Sequence, residues 1–150
     1  MQLKSSAFAN GSKIPSLYTC QGKDHNPPLD IQGVPPEAQS LAFIMDDPDV
    51  PPSVRKDRMW VHWVFYNLDP KVAAIAENSD IPALLGANTE GKQAYMGPCP
   101  PDREHRYFFK LYALDCMLDL PAGASKEELL NAMEGHILAQ CELIGKYQKI

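Results

Sequence analysis

Three long apolar runs set the pattern of this chain. Ser40-Leu41-Ala42-Phe43-Ile44-Met45 is continuous and ends at an acidic segment, which suits a strand buried on both faces better than a short helix. Trp60 to Leu68 and Arg106 to Leu114 are rich in aromatic and β-branched residues, the composition of strands that lie centrally in a sheet. These three runs are the expected core. Ahead of them the first forty residues are short apolar pieces cut by Asn10-Gly11, Pro15, Gln21-Gly22, Pro27-Pro28, Gly33 and Pro35-Pro36. Only brief strands fit between such breakers, with Leu3 to Ala7 and Leu29 to Gln32 the best candidates.

Between the core runs, Pro70 to Glu77 places proline at a permissible first helical position with alanines behind it, which predicts a short helix. Asn88 to Gly97 reads as a loop. Ser125-Lys126-Glu127-Glu128 has capping-box spacing, and the helix it starts carries Leu129, Leu130 and Met133 on one face. Past Gly135, which suits a left-handed cap, Ala139, Cys141, Leu143 and Tyr147 alternate with polar residues, so a strand is expected rather than a continued helix. The sum is a mostly β chain with long loops and two short helices.

With 150 residues and 45% hydrophobic content, the chain is expected to form one domain over residues 1–150 with a substantial core. The net charge of -5 and the scattered basic residues disfavour a nucleic-acid surface, and Arg55-Lys56-Asp57-Arg58 reads as a solvated loop. No run approaches the ~20 apolar residues of a membrane span, and the first residues lack the apolar stretch of a secretory signal. A cytoplasmic location is therefore expected. Cys20, Cys99, Cys116 and Cys141 are widely spaced without a C-x-x-C pair, which predicts reduced thiols, neither a disulfide framework nor a structural zinc site.

Candidate chemistry gathers at two proline-stiffened loops, Asp46-Asp47-Pro48-Asp49-Val50-Pro51 and Gly97-Pro98-Cys99-Pro100-Pro101. Proline fixes φ, so such loops lose little entropy on ordering and can hold side chains at set positions. In an extended segment Asp47 and Asp49 point to one side and Asp46 to the other. One carboxylate is then free to orient an imidazole while another holds the loop backbone or an arginine such as Arg106. His62 lies inside an aromatic strand, where a buried neutral imidazole with one satisfied nitrogen is the default, and His105 stands at a loop-to-strand junction before Arg106 and Tyr107. Two imidazoles, a tyrosine hydroxyl and loop amides make a donor-rich cleft for phosphate, sulfate or carboxylate, whose affinity should fall as pH rises through the histidine pKa. A metal reading is disfavoured because nothing at short spacing fixes ligand geometry. A hydrolase would need Cys99 as nucleophile with His62 or His105 as base, and a small residue packed under the loop is the preferred reading of Cys99.

The order D-P-D-x-P, a histidine in an aromatic strand, G-P-x-P-P, then H-R-Y resembles the phosphatidylethanolamine-binding protein family, and within it the bacterial branch related to Raf kinase inhibitor proteins. Tyr18-Thr19-Cys20, Gly22-x-Asp24 and Glu142 to Tyr147 extend the resemblance over nearly the whole chain. It implies a β-sandwich with a large central antiparallel sheet facing a smaller one, and an anion pocket at one end. Carried over by residue, Asp47, His62, Pro101, His105 and Tyr107 would line that pocket, with Asp49, Gly97, Pro98 and Arg106 in support. The implied role is non-enzymatic binding of phosphate-bearing small molecules or lipid head groups, without cofactor or metal. A kinase or other signalling partner and a homodimer are the assemblies the family admits, although the helical extension of animal members is missing. Gln21 and Asn26 depart from the bacterial pattern, and Asp102-Arg103-Glu104 adds charge at the rim.

Overall fold

A computed structural model describes residues 1–150. Two antiparallel sheets face one another. The smaller has the order β1 (Gln2–Lys4), β2 (Leu29–Gln32), β5 (Ala74–Ile75); the larger has the order β6 (Leu84–Leu85), β4 (Trp60–Leu68), β3 (Ser40–Asp47), β7 (His105–Leu114), β8 (Ile137–Tyr147). The three apolar runs are thus the three inner strands of the large sheet.

Every residue of β3 is buried because both faces of the large sheet are covered. Leu41, Phe43 and Met45 point between the sheets, where Phe43 stacks on Phe65 at 4.6 Å and meets Trp63 edge-on at 5.0 Å. Ala42 and Ile44 point the other way, against Leu129 and Met133 of the only α-helix, α1 (Lys126–Met133). Each large side chain so buried contributes roughly 2–3 kcal/mol. The Ser125 capping box is formed, Ser125 Oγ accepting the Glu128 amide at 3.1 Å and Glu128 Oε1 accepting the Ser125 amide at 3.2 Å. Gly135 turns the chain at φ +80, and β8 follows as a strand.

Two expectations need correcting. Pro70 to Glu77 is not helical. Asp69 Oδ1 accepts the Lys71 amide at 2.8 Å and makes a turn, after which the chain runs extended and pairs Ala74 and Ile75 with β2. Ile75 is buried in the sandwich, and the Ala73 carbonyl accepts the Ile31 amide at 2.8 Å. Pairing with a strand that lacked a second neighbour outweighs alanine's helix propensity. The second helical element is instead a 3-10 turn at Ser16–Tyr18. The first strand also stops at Lys4, short of Ala7, because Ser5 Oγ accepts the Ala7 amide at 3.1 Å and bends the chain. No helix is long and apolar enough to cross a membrane.

Candidate functional site

Strand alternation sorts the three aspartates. Asp47 continues the Phe43–Met45 face beyond the sandwich, while Asp46 continues the Ala42–Ile44 face toward α1. Asp46 is fully buried there and bonds Lys110 Nζ at 3.1 Å and Lys126 Nζ at 2.8 Å, tying the first residue of α1 to the sheet. Asp47 Oδ1 accepts the Asp49 amide at 2.7 Å, which folds the loop back, and Asp47 Oδ2 meets His105 Nδ1 at 2.6 Å. Asp49 takes a fork from Arg106, Nε at 2.9 Å and the terminal nitrogen at 2.8 Å, plus the Arg106 amide at 2.9 Å. The Arg106 bonds hold the Asp49 carboxyl below its usual range.

His62 reaches the same place through an irregularity. Met45 pairs with Trp63 but Asp46 pairs with Val61, so one residue of β3 spans two of β4 and His62 is the extra one. Simple alternation from Trp63, which faces the sandwich, would send His62 toward α1. The bulge turns it back to the Trp63 side, where its ring meets Tyr107 edge-on at 5.2 Å. His105 and Tyr107 need no such device, being two apart on β7 and so on one face.

The second loop is clamped from the first forty residues. Asp24 Oδ1 accepts the Gly97 amide at 2.8 Å, the Pro98 carbonyl accepts the Cys20 amide at 3.1 Å, and Cys20 is disulfide-bonded to Cys99. A Cβ on Gly97 would lie 2.2 Å from Asp24 Oδ1, so only glycine fits. The disulfide corrects the expectation of four reduced thiols, and with Sγ so occupied Cys99 is neither a free nucleophile nor a packing filler. It also removes the thiol argument for a reducing cytoplasm. The departures at Gln21 and Asn26 prove structural. Gln21 Oε1 accepts from the Tyr147 hydroxyl at 2.6 Å, and Asn26 Nδ2 donates to the Ala76 carbonyl at 3.0 Å.

These segments enclose a cavity of about 260 Å³. Asp47, His62, His105 and Tyr107 make its polar floor, and Gly97, Cys99, Pro100 and Pro101 one wall. Val50, Val54, Trp60 and Met96 make an apolar mouth with Glu90 beside it. Of the nine residues expected at or behind the pocket, Asp47, His62, Gly97, Pro101, His105 and Tyr107 line it; Asp49 and Arg106 brace the acidic loop, and the Pro98 carbonyl accepts the Cys20 amide behind the wall. The apolar mouth was missed, because Val54 and Met96 lie in segments whose sequence signals only loop.

The floor is chemically mixed. The Met96 carbonyl lies 2.6 Å from His62 Nδ1, so that nitrogen donates and Nε2 is left as a bare acceptor. Burial pushes the His62 pKa down to about 4, which makes the ring neutral at physiological pH. This is the buried neutral imidazole that a place in an aromatic strand favours, and it takes His62 out of the pH dependence expected of a protonated donor. His105 is flanked on both sides, Nδ1 by Asp47 and Nε2 by Asp102 Oδ1 at 2.6 Å. Burial raises the Asp47 carboxyl against the opposing His105 bond, while the His105 bond lowers Asp102. The Tyr107 hydroxyl is buried with no hydrogen-bond partner, since the nearby Cys99 amide does not reach bonding geometry. Burial raises its pKa well above the ordinary tyrosine value.

The model of the phosphatidylethanolamine-binding protein family matches residues 4–148. The chain belongs to that family. It is 54% identical over 149 residues to a UPF0098 protein of Chlamydia trachomatis, covering 99% of both chains, and 50% identical over 155 residues to one of Methanothermobacter thermautotrophicus, again covering 99% of both. Its fold matches the crystal structure of a putative phosphatidylethanolamine-binding protein homologue of Chlamydia trachomatis, with TM-score 0.97, 53% identity, and 99% and 97% of the two chains covered. E. coli YbcL, described as a member of the mammalian family, matches with TM-score 0.89 at 25% identity, over 99% and 98%. Family members therefore share the two-sheet frame that carries the cavity, and none of these names denotes an enzyme.

Proposed function

We propose that the protein is a non-enzymatic binding protein, acting as one domain, whose cavity takes the phosphate-bearing head of a small molecule or phospholipid. The buried, unpartnered Tyr107 hydroxyl on the cavity floor supports this reading most directly, because an orphaned donor costs stability unless an acceptor arrives. A ligand oxygen becomes that acceptor once the cavity wall over the hydroxyl, which is closed to solvent in the free protein, gives way to it. His105 Nε2 supplies a second donor once the exposed Asp102 carboxylate swings away, and His62 Nε2 asks the ligand for a donor in return. A phosphate monoester carrying one proton offers both kinds of atom. Val50, Val54, Trp60 and Met96 would meet its organic part.

Isothermal titration with phosphorylethanolamine tests the reading. Wild type should bind and His62→Ala should lose at least tenfold in affinity; equal affinity in the two removes the cavity from the function. The family likeness also brings a signalling partner such as a kinase, and a homodimer, as proposals. Release of a captured partner by a phosphate ester tests the first, and native mass spectrometry the second.

A further inference from the structure

The cavity lies at the His105 end of β7, and a second cluster of reactive side chains lies at the other end, about 30 Å away along the strand. There Asp115, Cys116 and His136 each offer one ligating atom, and the three atoms lie within 4.8 Å of one another. They come from distant positions. β7 ends at Leu114 and releases Asp115 and Cys116 into a bend, while Gly135 turns the chain out of α1 so that His136 leads into β8.

The backbone at all three positions is pinned. The Asp115 amide donates to the His136 carbonyl at 3.0 Å, and the His136 amide donates to the Met133 carbonyl at 2.9 Å. The Cys116 carbonyl accepts from Ser40 Oγ at 2.6 Å, and two residues on the Leu118 amide donates to Asn67 Oδ1 at 2.8 Å. The backbone that carries the three donors is thus held by β3, β4 and α1 before any ion arrives, so the site can bind without reordering its loop.

We propose that Asp115, Cys116 and His136 form a transition-metal site, taking Zn²⁺ or a cation of similar preference through carboxylate oxygen, thiolate sulfur and imidazole nitrogen, with water in the fourth position. The donor set decides the class: thiolate and imidazole suit Zn²⁺, Co²⁺ or Ni²⁺, whereas Ca²⁺ and Mg²⁺ take oxygen. The geometry is close. Tetrahedral bonds of ~2.0–2.3 Å put ligand atoms ~3.3–3.8 Å apart. His136 Nδ1 and Asp115 Oδ1 stand at 2.8 Å and need to part slightly, with the ring proton moving to Nε2. Both side chains are about half exposed, 46% for His136 and 47% for Asp115, which gives an entry path and room for water.

Charge balances as well. Carboxylate and thiolate together neutralise a divalent ion, and the thiol gives up one proton to solvent on binding. In the free protein burial, and then the Asp115 charge, keep that thiol protonated, so the ion must displace the proton.

Titration of the full, disulfide-intact chain with Co²⁺, followed by absorption and then by Zn²⁺ competition, tests the site. Wild type should show a thiolate-to-cobalt charge-transfer band that Zn²⁺ removes. Cys116→Ser should abolish the band, and His136→Ala should weaken binding tenfold or more. Cys141→Ser, which removes the other free thiol, should leave both unchanged. Zn²⁺ should also slow alkylation of Cys116 more than that of Cys141. No band in wild type, or a band that survives Cys116→Ser, overturns the proposal. Neither result bears on phosphate binding in the distant cavity.

Discussion

Replacing Tyr107 with Phe should make the protein more stable and a poorer binder at once. The hydroxyl is fully buried at the junction of β7 and the cavity floor and has no hydrogen-bond partner. Burying such a donor unpaired costs about 1–3 kcal/mol, and phenylalanine keeps the ring that meets His62 at 5.2 Å and stacks beside His105 at 6.5 Å. After a small loss of contact, a gain of about 1–2 kcal/mol is expected. For a chain of this size that raises Tm by about 3–6 °C. In the bound state the same hydroxyl would donate to a charged ligand oxygen, a bond worth about 1.5–3 kcal/mol, so affinity for phosphorylethanolamine should fall roughly ten- to hundredfold. Calorimetric unfolding and isothermal titration read the two effects separately. A variant less stable than wild type by 1 kcal/mol or more would mean that the hydroxyl is satisfied in the free protein. Unchanged affinity would mean that it never meets the ligand.

His62 makes stability acid-sensitive. Its folded pKa of about 4 lies below the ordinary 6.5, so the unfolded chain protonates first as pH falls; the contribution is whole above 6.5 and is lost down to about 4, some 3 kcal/mol in all. Urea midpoints at pH 7 and pH 4.5 should show this loss, and His62→Asn should shrink it. Reduction of Cys20–Cys99 should cost about 2–4 kcal/mol and lower phosphate-ester affinity, since the bond staples the cavity wall to the first forty residues; unfolding and titration with and without dithiothreitol check both. Asp102→Asn should tighten binding of the same ester by withdrawing the carboxylate that competes for His105 Nε2, whereas equal or weaker binding would show that this nitrogen takes no part.

The frame was legible because burial on both faces leaves β3 a continuous apolar run, while β4 and β7 are marked by their aromatic and β-branched residues. β8 was legible for a different reason, since Gly135 and the alternation after it distinguish a strand from a continued helix. Pro70 to Glu77 misled because its alanines carry helix propensity while the need of β2 for a neighbour is written elsewhere in the chain. The floor of the cavity could be named from the motifs, and the neutral state of His62 from its place in an aromatic strand. The bulge that turns its ring toward the cavity could not be read there, because it is a matter of strand register that no local residue pattern declares. Cys20 and Cys99, 79 positions apart, meet only through the folding of the first segment against the second loop. Asp102 looked like rim charge and turned out to be a partner of His105.

That partnership fixes the charge of the floor. Each of the two 2.6 Å contacts on His105 joins a ring nitrogen to a carboxylate oxygen and so needs one proton between them. Two protons shared among an imidazole and two carboxylates leave one net negative charge, wherever the protons sit. His62 adds none, Glu90 stands at the mouth, Arg106 is spent on Asp49, and Arg103 Nε lies 3.7 Å from Asp102 Oδ2. An anion entering this floor therefore meets guanidinium groups that are already paired with aspartates, Arg106 with Asp49 and Arg103 with Asp102. On the proposed reading it would be held by the Tyr107 hydroxyl and by exchange at His105, taking the place of the Asp102 carboxylate on Nε2 so that one negative group leaves as another arrives. On the proposed reading, the loop that carries Asp102 between Pro101 and His105 would be the part that moves, and the disulfide-stapled wall on the other side of Pro100 the fixed part against which the ligand would rest.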